Sequence, residues 1–302
     1  MEERRSQVVL GLDPDPARLW PAAVGAGTDG PPPPGAPPDE ARALAAAAVA
    51  HHCRLAIEAA GPACVAVKLQ LACFERLGAP GWDALEDAAA AAREHGLLVI
   101  ADAKRGDVPV TASAYAQAFL GHTDSPWGPI PGLGADAITA NPLLGRDALE
   151  PLVAAANESG AGVFVLVRTS NPGGADLQDR ELEGRPLHEA LARMVADAAA
   201  PSVNAAAGGL SNVGAVTGAT RPDLLRRLRE LMPNSVFLLP GVGAQGGTVE
   251  DLAPAWASHP AGGLVTASRS IVNAYATSGA EPAAAARDAA EELRSQAWSK
   301  AR

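Results

Sequence analysis

The sequence predicts an α/β protein, and within that class a single (β/α)8 barrel, on three observations. Eight short apolar runs of strand length alternate with longer segments of helical pattern. Charged or polar residues follow several of these runs, as expected where the carboxyl ends of parallel strands build a site. The 302 residues show no break in composition that would separate two domains, so residues 1–302 are predicted to form one barrel domain.

The predicted strands are apolar runs bounded by glycine, proline or charged residues. In chain order they are Val8–Asp13, Ala63–Lys68, Leu97–Ala101, Asp136–Asn141, Ala161–Arg168, Val213–Gly218, Ser235–Pro240 and Gly263–Ala267. The predicted helices are Asp39–Ala60 with Asp39 as N-cap, Gly81–His95, Val110–Leu120, Arg146–Asn157, Pro186–Ala198, Arg221–Met232 and the C-terminal segment. A doubly wound open sheet is the alternative, but no G-x-G-x-x-G turn follows the first strand.

One segment fits neither pattern. Thr28–Pro38 is rich in glycine and proline, with proline at six of its positions. Such a composition cannot form a packed helix or strand, because proline lacks the amide donor that both require. We expect residues 28–38 to be a solvent-exposed insertion after the first strand.

Composition excludes several classes of partner. The formal net charge is −10 and no basic run is present, which argues against nucleic acid as a ligand. The three cysteines, Cys53, Cys64 and Cys73, lack metal-binding spacing and indicate reduced thiols. The first residues resemble no signal peptide, and no apolar stretch reaches the ~18 residues of a membrane span. We therefore expect a cytoplasmic protein that contacts no membrane.

The stretch Leu97–Asp107 carries the strongest chemical signal. Its apolar start predicts a strand buried on both faces, and Asp102 and Lys104 follow at its end. Residues two apart on an extended backbone point the same way, so these opposite charges should lie side by side. Burying them costs several kcal/mol unless they are paired. A structural ion pair is one interpretation, and a catalytic pair, joined by Lys68 from the end of the second strand, is the other.

A second signal lies after the last two strands. Gly241, Gly243, Gly246 and Gly247 follow the seventh strand, and Arg269 follows the eighth. In α/β barrels phosphate groups commonly bind at this place, on backbone N–H groups, and an arginine supplies a forked cation. A simple tight turn is the alternative, but the combination with Arg269 favours a phosphate site.

These residues together resemble the orotidine 5′-monophosphate decarboxylase family, in particular its longer bacterial subgroup, type 2. Asp102–Asp107 matches the family signature D-x-K-x-x-D. Matching segments occur along nearly the whole chain: Leu12–Asp13, Val67–Lys68, Thr139–Pro142, Val167–Pro172, Gly214–Thr220, Pro240–Gln245 and Ser268–Arg269. The signature alone is shared with related barrel enzymes, whereas the ordered set is highly specific.

The resemblance implies a cofactor-free and metal-free enzyme that converts orotidine 5′-monophosphate to UMP and CO2, as a homodimer with active sites at its interface. Lys68, Asp102, Lys104 and Asp107 would form an alternating charged array, in which Lys104 protonates C6 and Asp107 reaches into the neighbouring subunit's site. The implied substrate-binding residues are Asp13 and Thr111 for ribose, Ser170 for the pyrimidine, and Gln245, Arg269 and the amides near Gly241 and Gly243 for phosphate.

Two rival functions remain open from the residues alone. A sugar-phosphate lyase or isomerase could use D-x-K-x-x-D with Mg²⁺, but it needs an acidic residue where Lys68 stands. A non-catalytic binder of a phosphate ligand would be expected to have lost part of the charged array, and all four members are present.

Other features receive structural interpretations. His51 and His52 lie in an Ala-rich helix and are predicted to be surface residues. The scattered tryptophans are predicted to be packing residues: Trp20, Trp82, Trp127, Trp256 and Trp298. The loop Thr169–Gly174 is a candidate lid over the pyrimidine, with a flexible connection as the alternative.

Overall fold

A computed structural model of the chain describes residues 1–24, 35–219, 221–243 and 246–302. Eight parallel strands close into a barrel, and each strand is hydrogen-bonded to its sequence neighbours, with β1 next to β8. The strands are β1 Val8–Leu12, β2 Ala66–Gln70, β3 Leu98–Arg105, β4 Ala137–Ala140, β5 Gly162–Arg168, β6 Ser211–Thr217, β7 Ser235–Pro240 and β8 Gly263–Ala267. This topology confirms the predicted (β/α)8 barrel.

Helices connect the strands on the outside of the barrel. The longer ones are α1 Pro38–Ala60, α2 Ala79–Glu94, α3 Pro109–Phe119, α4 Arg146–Ser159, α5 Leu187–Ala199, α6 Pro222–Leu231 and α7 Pro282–Lys300. The connection from β7 to β8 is instead a 3₁₀ helix, Glu250–Trp256, which contains Pro254. Two short hairpins, His122–Thr123 with Ile130–Pro131 and Glu181–Leu182 with Arg185–Pro186, extend from the connections.

The apolar core has two parts, as the alternation of side chains along barrel strands requires. Inside the barrel, Val9, Ile100, Phe164, Leu238 and Leu264 pack against one another. A larger cluster fills the space between the outer faces of the strands and the helices. At the carboxyl ends of the strands the barrel interior opens into a cavity, where Lys68, Asp102 and Thr266 line the wall together with Leu166 and Val216.

The largest differences from the predicted strand boundaries are at β2 and β3. Strand β2 begins at Ala66 rather than Ala63, because residues 61–63 form a 3₁₀ turn that ends when the amide of Cys64 bonds to the carbonyl of Gly61. Strand β3 continues through Arg105 rather than ending at Ala101. Its charged residues are tolerated because they are paired: Asp102 with Lys68 of β2 and with Lys104 of β3 itself, and Arg105 with Glu75 from the short helix after β2.

Local contacts correct three further predictions. Helix α1 begins at Pro38, so Asp39 is a first-turn residue and not the N-cap. His52 is buried beneath Trp20. Its Nδ1 accepts a hydrogen bond from the amide of Trp20 at 3.1 Å, and its ring packs edge-on against that tryptophan. Burial lowers the pKa of His52 to about 4, which keeps the ring neutral. Trp127 is 89% exposed and is therefore not a packing residue.

Most of the predicted insertion at 28–38 lies outside the described residues; Gly35 to Pro37 are irregular, and Pro38 starts α1. The three cysteines are free thiols. No helix in the described ranges is both long and apolar enough to cross a lipid bilayer.

Candidate active site

A cavity of about 400 Å³ opens at the carboxyl ends of the strands, which is the face where α/β barrels bind their ligands. Residues from β1, β2, β3 and β5 to β8, or from the loops that follow them, contribute to its wall. Its polar lining residues are Asp13, Lys68, Gln70, Asp102, Lys104, Thr169, Ser170, Asn171, Thr266, Ser268, Arg269 and Ser270. The cavity therefore brings together residues that are separated by more than 250 positions in the chain.

The carboxylate of Asp102 is the centre of the polar network at one end of the cavity. Its Oδ2 accepts hydrogen bonds from Lys68 Nζ at 2.6 Å and from Gln70 Nε2 at 3.2 Å. Its Oδ1 accepts from Lys104 Nζ at 2.6 Å and from Thr139 Oγ1 at 2.9 Å. A carboxylate offers about four lone-pair sites. Four donors therefore satisfy this buried group.

The charges of this network stabilise one another. Burial of Asp102 opposes its ionisation, but the ammonium groups of Lys68 and Lys104 outweigh that effect and lower its pKa to about 2. Burial likewise favours the neutral amine of Lys68. The charges of Asp102 and Asp13 more than offset this and raise the pKa of Lys68 above its usual value. At neutral pH the carboxylate of Asp102 and the ammonium of Lys68 therefore face each other as full charges.

The two lysines differ in exposure. The side chain of Lys68 is 11% exposed and lies between Asp102 and Asp13, whose Oδ1 is 3.6 Å from its Nζ. The side chain of Lys104 is 43% exposed and lines the cavity. Lys104 can therefore meet a bound ligand while Lys68 holds the carboxylate from behind.

Lys104 has an unusual backbone for a lysine, with φ near +50°. The left-handed region costs a residue with a Cβ about 1–2 kcal/mol. Such strain persists where surrounding contacts determine the conformation, and it clusters at functional sites. Here the amide of Lys104 donates to Thr139 Oγ1 at 2.9 Å.

The loop after β5 forms another wall of the cavity and carries Ser170. It can approach β6 closely because Gly218 has no side chain: a Cβ there would lie 2.9 Å from Ser170 Cα. The base of the loop is held by Arg168, which pairs in a forked arrangement with Asp179 at 2.8 and 3.0 Å. Gln178 Oε1 accepts from the amide of Thr169 at 2.8 Å. These bonds at its base argue against a merely flexible connection.

The predicted phosphate end is formed by β7, β8 and the turns after them. Gly241 and Arg269 line the cavity, and the exposed side chain of Arg269 has no ion-pair partner among the described residues. Gly243 has φ near +75°, and its amide donates to the carbonyl of Gly247 at 2.9 Å, so that N–H is used within the turn. Gln245 lies outside the described residues.

Two predicted site residues lie away from this cavity. Asp107 accepts a hydrogen bond from the amide of Val108 at 2.8 Å, and Thr111 is exposed in the first turn of α3. Both stand beside exposed apolar side chains on the loop after β3, the first turn of α3 and the loop after β4, which we call the apolar patch. The patch comprises Val108, Val110, Leu143 and Leu144, with Val110 85% exposed. The loops touch at Gly106, where a Cβ would lie 2.4 Å from the carbonyl of Asn141.

Sequence reasoning missed two members of the network around Asp102. Gln70 could have been found, because it lies two residues after Lys68 on the same strand and must face the same way. Thr139 gave a weaker signal. It is a polar residue on an otherwise apolar strand, facing the inside of the barrel. The charged groups that it contacts depend on the pairing of β4 with β3.

Comparisons with known proteins agree with this geometry. The sequence profile described as "Orotidine 5'-phosphate decarboxylase / HUMPS family" matches residues 6–289. An orotidine 5'-phosphate decarboxylase of Rhodopirellula baltica is 43% identical over 76% of this chain and 74% of its own length. That of Roseiflexus castenholzii is 40% identical over 96% and 91%.

A solved structure is also similar. The structure of Leishmania donovani OMP decarboxylase superimposes with a TM-score of 0.70 at 33% identity, covering 98% of this chain and 96% of that one. Fold, charged network and sequence thus lead to one conclusion. The chain belongs to the orotidine 5′-phosphate decarboxylase/HUMPS family.

Proposed function

We propose that this chain converts orotidine 5′-monophosphate to UMP and CO2, a step of de novo pyrimidine biosynthesis, without a metal or organic cofactor. The observation that carries the proposal is the buried carboxylate of Asp102 between the ammonium groups of Lys68 and Lys104, each at 2.6 Å, in a cavity that also contains Arg269. Relatives that match most of the chain carry this activity in their names. The cavity offers alternating charges to a reacting carboxylate at one end and a cation to a phosphate at the other.

Lys104 is the proposed proton donor. Loss of CO2 from C6 of the pyrimidine leaves an electron pair on carbon with no conjugated acceptor, so the enzyme must offset that charge or protonate it. An ammonium group directed at C6 does both, since it attracts the developing charge and then transfers its proton. Asp102 holds that ammonium in place and repels the substrate carboxylate, which favours the departure of CO2.

The other end of the cavity supplies binding energy. Arg269, Gln245 and the backbone near Gly241 bind the phosphate in this proposal, and Asp13 binds a ribose hydroxyl. Ser170 contacts the pyrimidine from the loop after β5, which the ligand draws closed as a lid. A phosphate bound far from C6 adds nothing to the chemistry itself, but its binding energy can hold the ring against the charged network.

A homodimer with shared sites is part of the proposal. Asp107 and Thr111 lie outside the cavity of their own chain, beside the apolar patch of Val108, Val110, Leu143 and Leu144. A second copy packed on this patch would bury those side chains. It would also bring Asp107 and Thr111 to the neighbouring cavity, where Asp107 completes the charged array and Thr111 meets the ribose.

A Mg²⁺-dependent sugar-phosphate lyase is disfavoured by the state of Asp102. A divalent cation needs free oxygen ligands. Both oxygens of Asp102 already accept two hydrogen bonds each, and the ammonium of Lys68 lies where a second ligand would be needed.

The test is to follow the absorbance of orotidine 5′-monophosphate with purified protein in excess EDTA, with the Lys104→Ala variant as the blank. Conversion to UMP and CO2 in EDTA supports both the reaction and its independence of metal. Absence of conversion by folded protein, together with turnover of a ketose phosphate once Mg²⁺ is added, would replace this proposal by the lyase.

A further inference from the structure

Thr139 joins the two groups that the proposed reaction depends on. It lies on β4, is 1% exposed, and faces the end of β3. Its hydroxyl oxygen is 2.9 Å from the amide nitrogen of Lys104 and 2.9 Å from Asp102 Oδ1. One side-chain atom therefore contacts both the backbone of the proposed proton donor and the carboxylate that holds its ammonium.

The direction of both hydrogen bonds is fixed by chemistry. An amide N–H can only donate, so the Thr139 oxygen accepts from Lys104. An ionised carboxylate can only accept, so the single hydroxyl hydrogen points to Asp102. The hydroxyl thus has no rotational freedom left, and it transmits the position of β4 to both neighbours.

The strand pairing explains why a side chain is needed at this point. Strands β3 and β4 pair regularly at Ile100 and Ala101, and again at Arg105, with a shift of register between them. Lys104 lies within that shift with a left-handed backbone. Its amide is satisfied by the Thr139 hydroxyl instead of a ladder carbonyl. This backbone brings Lys104 Nζ back to Asp102, only two residues earlier, at 2.6 Å.

We propose that Thr139 is a positioning residue that sets the orientation of Lys104 relative to Asp102 through these two hydrogen bonds. The inference rests on the proposed function, since it assumes that the position of the Lys104 ammonium limits the rate. It predicts that losing the hydroxyl lowers kcat while KM changes little, because Thr139 lies beneath the network and contributes nothing to phosphate binding.

The test compares Thr139→Val, which keeps the shape and removes the hydroxyl, with Thr139→Ser, which keeps the hydroxyl. We expect kcat of Thr139→Val to fall about 100-fold, the effect of misplacing a reacting group by roughly 1 Å. KM for orotidine 5′-monophosphate should stay close to that of the wild type, and Thr139→Ser should restore most of kcat.

Thr217→Val is the matched control. Thr217 is also fully buried on a barrel strand, and its hydroxyl finds no partner within the described part of the chain. Its replacement by valine should leave kcat unchanged. If the valine methyl group is not tolerated against Asp102, Thr139→Ala provides the same loss of the hydroxyl without added bulk.

Several results would overturn the inference: wild-type kcat in Thr139→Val or Thr139→Ala, a change confined to KM, an equal loss in Thr217→Val, or no recovery in Thr139→Ser. If neither Thr139→Val nor Thr139→Ala folded, the inference would also be overturned, because the hydroxyl would then be needed for folding rather than for positioning Lys104. A wild-type protein that does not convert the substrate would instead contradict the proposed function.

Discussion

The two ends of the cavity are built in different ways. At the charged end, Lys68 on β2 and Lys104 on β3 each bond to Asp102 of β3 at 2.6 Å. At the phosphate end, Arg269 is exposed and begins a helix of only four residues, and Gly243 lies in a glycine-rich turn. The charged end is a closed set of paired charges. The phosphate end consists of backbone groups and one cation, Arg269, which has no carboxylate partner among the described residues.

The difference matches the work each end is proposed to do. Protonating a carbon requires the donor to be placed within fractions of an ångström before the substrate arrives. Holding a phosphate requires donors and a cation, and these can adjust as the ligand binds. Rigid strands suit the first task and turns suit the second. Substitutions at the two ends should therefore affect different kinetic constants.

The largest effect is expected for Lys104→Ala. Removing the proposed proton donor should lower kcat by about 10³-fold or more. The thermal midpoint should change little, because this side chain is 43% exposed. Lys300→Ala, at the end of α7, is the control for loss of a lysine. A near-normal rate in Lys104→Ala would show that the charged end does not contain the donor.

A second prediction concerns the subunit that completes the charged end. Lys104→Ala and Asp107→Ala chains should each be inactive alone. In a 1:1 mixture of exchanging dimers, half would be mixed and would carry one intact site, which gives about a quarter of wild-type activity. No recovery from verified mixed dimers would place Asp107 in the site of its own chain.

At the phosphate end, Arg269→Ala should raise KM by about 10- to 100-fold, the effect of one charge-assisted hydrogen bond, and leave kcat within a few-fold. Arg287→Ala, on the exposed side of α7, controls for a change of net charge. Unchanged KM would remove Arg269 from the phosphate site. A large loss of kcat would contradict the division of labour between the ends.

The smallest expected effect is a decrease in the free energy of unfolding at acidic pH. The pKa of Asp102 is lowered to about 2 in the folded protein, against 3.8 for an unperturbed group. Its contribution to the free energy of unfolding is therefore complete above about pH 4 and is lost as the pH falls towards 2. At pH 3 the loss should be about 1 kcal/mol.

Urea unfolding at pH 6 and pH 3 checks this prediction. Asp102→Asn should lack that part of the acid sensitivity, whereas Arg269→Ala should keep it. Equal acid sensitivity in the wild type and in Asp102→Asn would show that Asp102 is not stabilised by its lysines.

The charged end was largely predictable from sequence because its signal is local. The alternation of side chains along one strand predicts that Asp102 and Lys104 meet, and strand order in a barrel predicts that Lys68 lies next to them. The left-handed backbone of Lys104 could not be read in the same way, since nothing in its neighbours demands it. It follows from a register shift between two strands, which is a property of their pairing.

Longer-range contacts explain the remaining errors. His52 was predicted to be a surface residue from its Ala-rich helix. Trp20, in an irregular segment 32 residues earlier, instead covers it: its amide donates to the His52 ring and its own ring packs against it. The proline-rich composition at 28–38 identified an irregular segment without indicating its use. In the proposed dimer the contributions of Asp107 and Thr111 depend on a second chain, and a single sequence carries no geometry for that.

The complete bonding of Asp102 also constrains how this protein can evolve. Each of its oxygens has two donors, so a change of Lys68, Gln70 or Thr139 removes one hydrogen bond from this buried carboxylate, and a change of Asp102 removes the acceptor that all four donors share. Single mutations there should be purged, and only coordinated replacements could persist. New substrate preferences are therefore expected to arise at the rim of the cavity, in the loop after β5 and the turns after β7 and β8. There one residue can change without removing a hydrogen-bond partner from the network around Asp102.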